Sequence, residues 1–217
     1  MPTDLRQYDA IIFDLDDTLY PYGQFMSSED FWHFFNTFVA EQNSMPYDAV
    51  KAETDALRGG HEANLMEYWA RRGSFDTNAF LALLDARDIS HMGPCEQTLR
   101  FFIQTPIRKV VFTNANRTHA ERVLKQIGLY DHVEHICDYI TRGQTMKPAK
   151  APYVNLLNRL NLAPERCIMV EDQPVNLRTA RELGMATVLV RPEMPNVPEY
   201  VDRYYPKLSE WLSQIHP

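Results

Sequence analysis

The sequence predicts an α/β protein: a doubly wound parallel sheet with an all-helical segment inserted after its first strand. Three observations carry this. Short apolar runs alternate with helical stretches of about ten residues, the pattern of βαβ units. Three of those runs end abruptly in polar residues, as strands do when their carboxyl ends border a ligand crevice. Between the first run and the rest, over residues 22–92, no convincing strand pattern occurs.

Ala10-Ile11-Ile12-Phe13 is continuously apolar and reads as a buried strand. It runs straight into Asp14-Leu15-Asp16-Asp17-Thr18. Tyr20-Pro21-Tyr22-Gly23 reads as a turn. Ser27-Ser28-Glu29-Asp30 places hydroxyl caps before acids and opens an aromatic helix over 31–39. At helical spacing those aromatics suit the core of the insertion better than a base-stacking platform. Pro46 precedes a helix to about Arg58, which Gly59-Gly60 breaks. Residues 64–72 and 77–87 read as two further helices.

Gly93-Pro94 marks the return to alternation. A helix over 96–104 leads to the strand Arg108-Lys109-Val110-Val111-Phe112, which ends in Thr113-Asn114. A helix over 117–127 stops at Gly128, a glycine placed as a C-terminal cap. Residues 135–140 form a weaker strand candidate. Pro152 opens a helix to Leu160, and Cys167-Ile168-Met169-Val170 is a strand ending in Glu171-Asp172. A helix starting at Pro174 runs to Leu183 before Gly184. Residues 186–190 form the last strand, and a proline-rich stretch leads to a terminal helix over 208–215. The implied division is a Rossmann-like core of residues 1–21 and 93–217, and a helical domain of residues 22–92.

Composition bounds the function. With 45% hydrophobic and 24% charged residues, the 217-residue chain has a globular make-up. A net charge of −7 argues against a nucleic-acid polymer as partner. It does not exclude a small anion, because a bound metal inverts the local field. Cys95, Cys137 and Cys167 are odd in number and lack C-x-x-C spacing, so neither a disulfide framework nor a zinc site is expected. No basic region followed by an apolar one opens the chain, and no apolar run approaches the ~18 residues of a membrane span. A cytoplasmic location without a membrane partner is the expectation.

The polar strand ends are the chemistry. Parallel strands would bring Asp14, Asp16, Thr113, Asn114, Glu171 and Asp172 to one edge, and Lys147 lies in a loop just before a helix. Clustered carboxylates repel and take up protons unless a cation neutralises them. An all-oxygen ligand set favours Mg²⁺ over zinc. A lysine in such a site would neutralise an anion that is not the protein's own. Thr113 and Asn114 precede a helix, where backbone N–H groups suit phosphate. A carboxylate such as Asp14 can attack phosphorus, and Asp16 can deliver and remove a proton. Tyr20 and Tyr22 follow the acidic loop directly, and His61 sits in a glycine-rich turn; these are the expected substrate contacts. His119, on a helix, reads as structural.

Asp14-Leu15-Asp16-Asp17-Thr18, Thr113-Asn114, Lys147-Pro148 and Glu171-Asp172 occur in the order of the four motifs of the haloacid dehalogenase superfamily. Over nearly its whole length the chain resembles a phosphatase of that superfamily with a helical cap inserted after the first motif. The resemblance implies that Asp14 is phosphorylated, that Asp16 is the acid and base, and that Thr113 and Lys147 hold phosphoryl oxygens. It implies Mg²⁺ bound by Asp14, the backbone carbonyl of Asp16, Asp172 and Glu171. Dehalogenases proper lack an acid at the position of Asp16, which favours phosphate chemistry on a small phosphorylated metabolite. The stretches around Asp16, Thr113 and Glu171 are most similar to pyrimidine 5′-nucleotidases, so a nucleoside monophosphate is the expected substrate. The segment 59–64 departs from that branch's Tyr-Gly-Thr-Thr-like cap turn. Sugar-phosphate or phosphoglycolate-type phosphatases and phosphomutases share the fold. A non-catalytic binder of phosphorylated metabolites would be expected to have lost part of the set, and none is missing.

Overall fold

The computed structural model describes residues 3–21, 23–58, 65–139 and 145–216. In chain order the elements are β1 (Thr3–Asp4), β2 (Ala10–Phe13), α1 (Ser28–Asn43), α2 (Tyr47–Arg58), α3 (Leu65–Arg72), α4 (Thr77–Asp85) and α5 (Glu96–Gln104). They continue with β3 (Arg108–Phe112), α6 (Arg117–Gln126), β4 (His135–Cys137), α7 (Lys150–Leu160), β5 (Cys167–Glu171), α8 (Pro174–Glu182) and β6 (Ala186–Val190). β7 (Arg203–Tyr205), α9 (Leu208–Leu212) and β8 (Ile215–His216) complete the chain. The chain divides into two compact units, Met1–Phe25 with Ile89–Pro217, and Met26–Asp88.

The larger unit holds a six-stranded, wholly parallel sheet of order β4-β3-β2-β5-β6-β7. From β2 the chain steps outward through β3 and β4, then returns to the other side for β5, β6 and β7. The direction therefore reverses between β2 and β5, which is where such sheets open a crevice. Register places Phe13 opposite both Val111 and Val170, so Asp14 sits level with Phe112 and Glu171.

Alternation along the strands builds two cores. Ile11, Phe13, Val111, Ile168, Val170 and Val188 face one side, against Phe102, Val123, Leu124 and Trp211 from α5, α6 and α9. Ala10, Ile12, Val110, Phe112, Met169 and Leu189 face the other, against Tyr153, Leu156, Leu177 and Ala180 from α7 and α8. Both faces are covered, which is why these strands read as unbroken apolar runs. Each fully buried large side chain contributes about 1.5–3 kcal/mol of transfer free energy.

Among the described residues, every regular element of the smaller unit is a helix. Ser27 caps α1 by accepting from the Asp30 N–H at 3.0 Å, and Glu29 and Asp30 complement the helix dipole. The aromatic run packs inward: Phe35, Phe38, Trp69, Phe75 and Phe80 form a core of their own, with tilted and edge-on ring pairs at 5.2–5.6 Å.

Four local expectations are corrected. The strand expected over 135–140 ends at Cys137, because the Tyr139 N–H turns away to Ala115 O. The terminal helix stops at Leu212, because Ile215 and His216 pair in parallel with Thr3 and Asp4. β7 is an edge strand of three half-buried residues, too short and too polar to announce itself. α4 ends at Asp85 rather than at Arg87. Among the described residues, no helix is long and apolar enough to cross a membrane.

Cys137 and Cys167 are buried while Cys95 is half-buried, and burial pushes the Cys167 thiol up to about 12. A thiol that stays protonated and enclosed is inert. Ellman's reagent at pH 8 should titrate one thiol per folded chain and all three in guanidinium. Two fast-reacting thiols in the folded protein would contradict this burial.

Candidate active site

The acids at the centre of the site are set by strand parity. Asp14 follows Ala10 and Ile12 on the α7 and α8 side of the sheet, and Glu171 follows Cys167 and Met169 on the same side. Lys147 immediately precedes α7, on that side. Its ammonium donates to Asp14 Oδ1 at 2.6 Å, Glu171 Oε1 at 2.7 Å and Phe112 O at 2.8 Å. All three donors of the ammonium are thereby used. Burial alone would lower the Lys147 pKa, but Asp14 and Glu171 hold it above its usual value, so the group is charged. The sequence points to an anion other than the protein's own as the lysine's partner; in the structure two of its three partners are the protein's carboxylates.

The remaining polar groups fix this pair. Asn114, expected to touch phosphate, spends its side chain on the Lys147 backbone instead. Its Oδ1 accepts from Lys147 N at 2.8 Å, and its Nδ2 donates to Lys147 O at 3.1 Å. Thr113, 1% exposed at the end of β3, accepts from the Ala115 N–H at 2.9 Å through Oγ1. Thr18 donates to Asp14 Oδ2 at 3.2 Å. Asp17 adopts a left-handed backbone, φ 60°, and accepts from Gly23 N at 2.5 Å, closing the loop after β2.

Both Glu171 oxygens are engaged by the protein. Its Oε1 accepts from Lys147 and from Asn176 Nδ2 at 2.5 Å, and its Oε2 accepts from the Gln173 N–H at 2.6 Å. Asn176 is itself held by the Tyr153 hydroxyl, which donates to its carbonyl at 2.9 Å. Asp172 has a simpler shell, with Gln173 Nε2 on Oδ2. One carboxylate oxygen from each of Asp14, Glu171 and Asp172 lies within 4.8 Å of the others, all three residues being buried. Burial, with Glu171 and Asp16 nearby, pushes the Asp14 carboxyl up to about 7 against the pull of Lys147. Burial and the Glu171 and Asp14 charges raise Asp172 as well. Three acids against one ammonium leave negative charge uncompensated. Hard, closely spaced carboxylate oxygens are the donor set of a divalent cation such as Mg²⁺.

Asp16 stands apart, its side chain 39% exposed. Its Oδ1 accepts from the Tyr20 hydroxyl at 2.6 Å and is bonded to His119 Nε2 at 2.7 Å. Burial of the carboxyl acts to raise its pKa, but His119 and Tyr20 hold it below the usual range. Tyr20 is 4% exposed with its hydroxyl committed to Asp16, which corrects its expected role as a substrate contact. Tyr22 and His61, the other expected substrate contacts, lie outside the described residues. His119 is the residue that the sequence reading missed. Asn116 caps α6 by accepting from the His119 N–H at 2.8 Å, which puts His119 in the first helical turn.

The chain is similar to known proteins across most of its length. It is 29% identical to the ribulose-1,5-bisphosphate 5-phosphatase of Halopiger xanaduensis, over 89% of this chain and 90% of that protein. It is 29% identical to the phosphoglycolate phosphatase of Rhodospirillum rubrum, over 83% of this chain and 78% of that protein. The crystal structure of a HAD phosphatase from Thermococcus onnurineus superposes with a TM-score of 0.63 at 18% identity, covering 93% of this chain and 95% of that one. At that identity the likeness speaks for the fold. Residues 8–184, which carry Asp14, Asp16, Thr113, Lys147, Glu171 and Asp172, match the haloacid dehalogenase-like hydrolase family, and the chain belongs to it.

Proposed function

We propose that this hydrolase is a Mg²⁺-dependent phosphomonoesterase that works through a phosphorylated Asp14. The observation that carries the reading is the Lys147 ammonium bonded to Asp14 and Glu171, with an Asp172 carboxylate oxygen within 4.8 Å of an oxygen of each. Asp14 attacks phosphorus; the Asp14 oxygen–phosphorus bond forms as the ester P–O bond breaks. Asp16 gives its proton to the departing alkoxide. It then takes a proton from water, which attacks the aspartyl-phosphate and frees Asp14 and inorganic phosphate. Thr113 and Lys147 steady the phosphoryl oxygens, Lys147 by sharing donors it gives to Asp14 and Glu171. Asp14, Asp172 and the backbone carbonyl of Asp16 are the proposed Mg²⁺ ligands. Glu171, which accepts from three donors, is proposed to hold Lys147. The cation, when bound, supplies charge neutralisation for the phosphoryl group.

The substrate is a small phosphorylated metabolite. The two curated relatives are named for a sugar bisphosphate and for phosphoglycolate, which supports a sugar phosphate or a phosphorylated small acid. The motif stretches that resemble pyrimidine 5′-nucleotidases support a nucleoside monophosphate as the second reading. A phosphate-release screen over p-nitrophenyl phosphate, ribulose 1,5-bisphosphate, phosphoglycolate and UMP separates them. The first reading expects one of the two non-nucleotides to give the highest kcat/KM, and UMP ranking first would replace it.

Three variants test the chemistry. Asp14→Asn should reduce phosphate release by more than 10³-fold without moving the melting temperature downward; full activity would sink the mechanism. Mg²⁺ at a hundred times its Kd should add about 2.7 kcal/mol to stability in a denaturant melt. Asp172→Asn should abolish that gain. Lys147→Met strands two buried carboxylates and should cost about 3–5 kcal/mol; a loss under about 1 kcal/mol would show that the ammonium is not their counter-charge.

A further inference from the structure

The contact between His119 and Asp16 joins residues 103 positions apart in the chain, and both ends of it are specified. His119 is 4% exposed and fixed at the start of α6 by the Asn116 cap. Its ring packs edge-on against Phe25, centroids 4.9 Å apart and planes at 86°. Tyr20 approaches the same carboxylate oxygen from within the loop after β2, donating its hydroxyl proton at 2.6 Å. A carboxylate oxygen offers about two lone-pair sites. Oδ1 of Asp16 has both filled by Tyr20 and His119, whereas Oδ2 has no hydrogen-bond partner among the described residues.

We propose that Tyr20 and His119 form a two-donor clamp on Oδ1 of Asp16, which fixes the carboxyl group and reserves Oδ2 as the oxygen that carries the proton to and from substrate. A proton on Oδ1 would displace one of the two donors; a proton on Oδ2 displaces none. The clamp also sets the direction in which Oδ2 points, because Oδ1 and the side-chain torsions cannot turn without breaking bonds to two buried groups. His119 and Tyr20 are positioning residues in this scheme. Neither meets the substrate; each acts through Asp16. The inference rests on Asp16 being the acid and base, and the experiment separates the two ideas.

The test compares kcat/KM on phenyl phosphate, whose leaving group needs a proton, with p-nitrophenyl phosphate, whose leaving group departs unaided. His119→Leu should cut kcat/KM on phenyl phosphate on the order of 10- to 100-fold, the scale of a misplaced catalytic group. On p-nitrophenyl phosphate the cut should stay under about threefold. His119→Gln, whose amide restores a donor near Nε2, should recover most of the loss on phenyl phosphate. Equal losses on both esters, unrelieved by glutamine, would mean a structural role and overturn the clamp. Asp16→Asn, measured alongside, isolates the underlying reading. If it is inactive on phenyl phosphate while His119→Leu matches wild type on both esters, the clamp is wrong and the acid–base assignment stands. If Asp16→Asn keeps full activity, the assignment itself fails. A crystal structure of His119→Leu gives an independent reading: the Asp16 carboxyl should be rotated, and an unmoved one overturns the proposal.

Discussion

The Lys147 ammonium is the group on which the rest of the site depends. It is 3% exposed and placed between Asp14 and Glu171, which are equally enclosed. Desolvating three such charges costs several kcal/mol each unless their geometry and hydrogen bonds are complete. The surrounding residues make them complete. Asn114 holds the lysine backbone at two points, Asn176 and the Gln173 N–H hold Glu171, and Thr18 donates to Asp14. Asp172 then brings one acid more than the ammonium and its two partners can balance. Burial, with that excess beside it, raises Asp14 and Asp172 together, and closely spaced carboxylates of this kind could hold a divalent cation.

The fold supplies this arrangement at small cost in sequence. Because β2 and β5 are neighbours at the reversal of strand order, residues separated by more than 150 positions share one register. Asp14 and Glu171 need only occupy the first position past a matched apolar pair, Phe13 and Val170, on the face that α7 covers. Lys147 enters from the segment that starts α7. The apolar faces that stabilise the sheet are thus the same device that aims the acids, which ties the integrity of the two cores to the geometry of the chemistry.

That logic explains what could be read in advance. The sheet, its doubly wound order, and the acids at its edge follow from apolar runs and what ends them. Membership of Asp14, Lys147, Glu171 and Asp172 in one cluster follows from strand parity and motif order. The inward turn of the aromatic run in α1 was equally legible, because helical spacing decides which face is apolar. What escaped depends on side-chain direction in three dimensions. Asn114 looked like a phosphate ligand, yet an amide beside a backbone strand can equally clasp that backbone, and here it does. Tyr20 reads as a substrate contact because it follows the acidic loop, but its side chain is buried and its hydroxyl donates to Asp16. His119 carries only a local signal, the Asn116 cap, and nothing in the sequence links it to Asp16, 103 positions away. β7 was hidden because three half-buried residues at a sheet edge carry too little pattern.

The site divides into two halves with opposite demands. The half around Lys147 is enclosed, dense in hydrogen bonds and holds more carboxylates than its one ammonium can balance. There burial and the neighbouring acids raise Asp14 and Asp172 together, so a proton gained or lost at one carboxyl changes the charge felt by the others. In the other half the Asp16 side chain is 39% exposed, and of its two oxygens one is committed and one has no hydrogen-bond partner among the described residues. A proton carrier must release and reacquire its proton within one turnover, so it cannot sit inside that network. It must still be aimed, because proton transfer needs hydrogen-bond distance to the reacting oxygen. Exposure alone would leave Asp16 free to rotate. Anchoring Oδ1 from beneath, through Tyr20 in the loop and His119 on α6, meets both requirements: the group stays reachable from outside and fixed from inside.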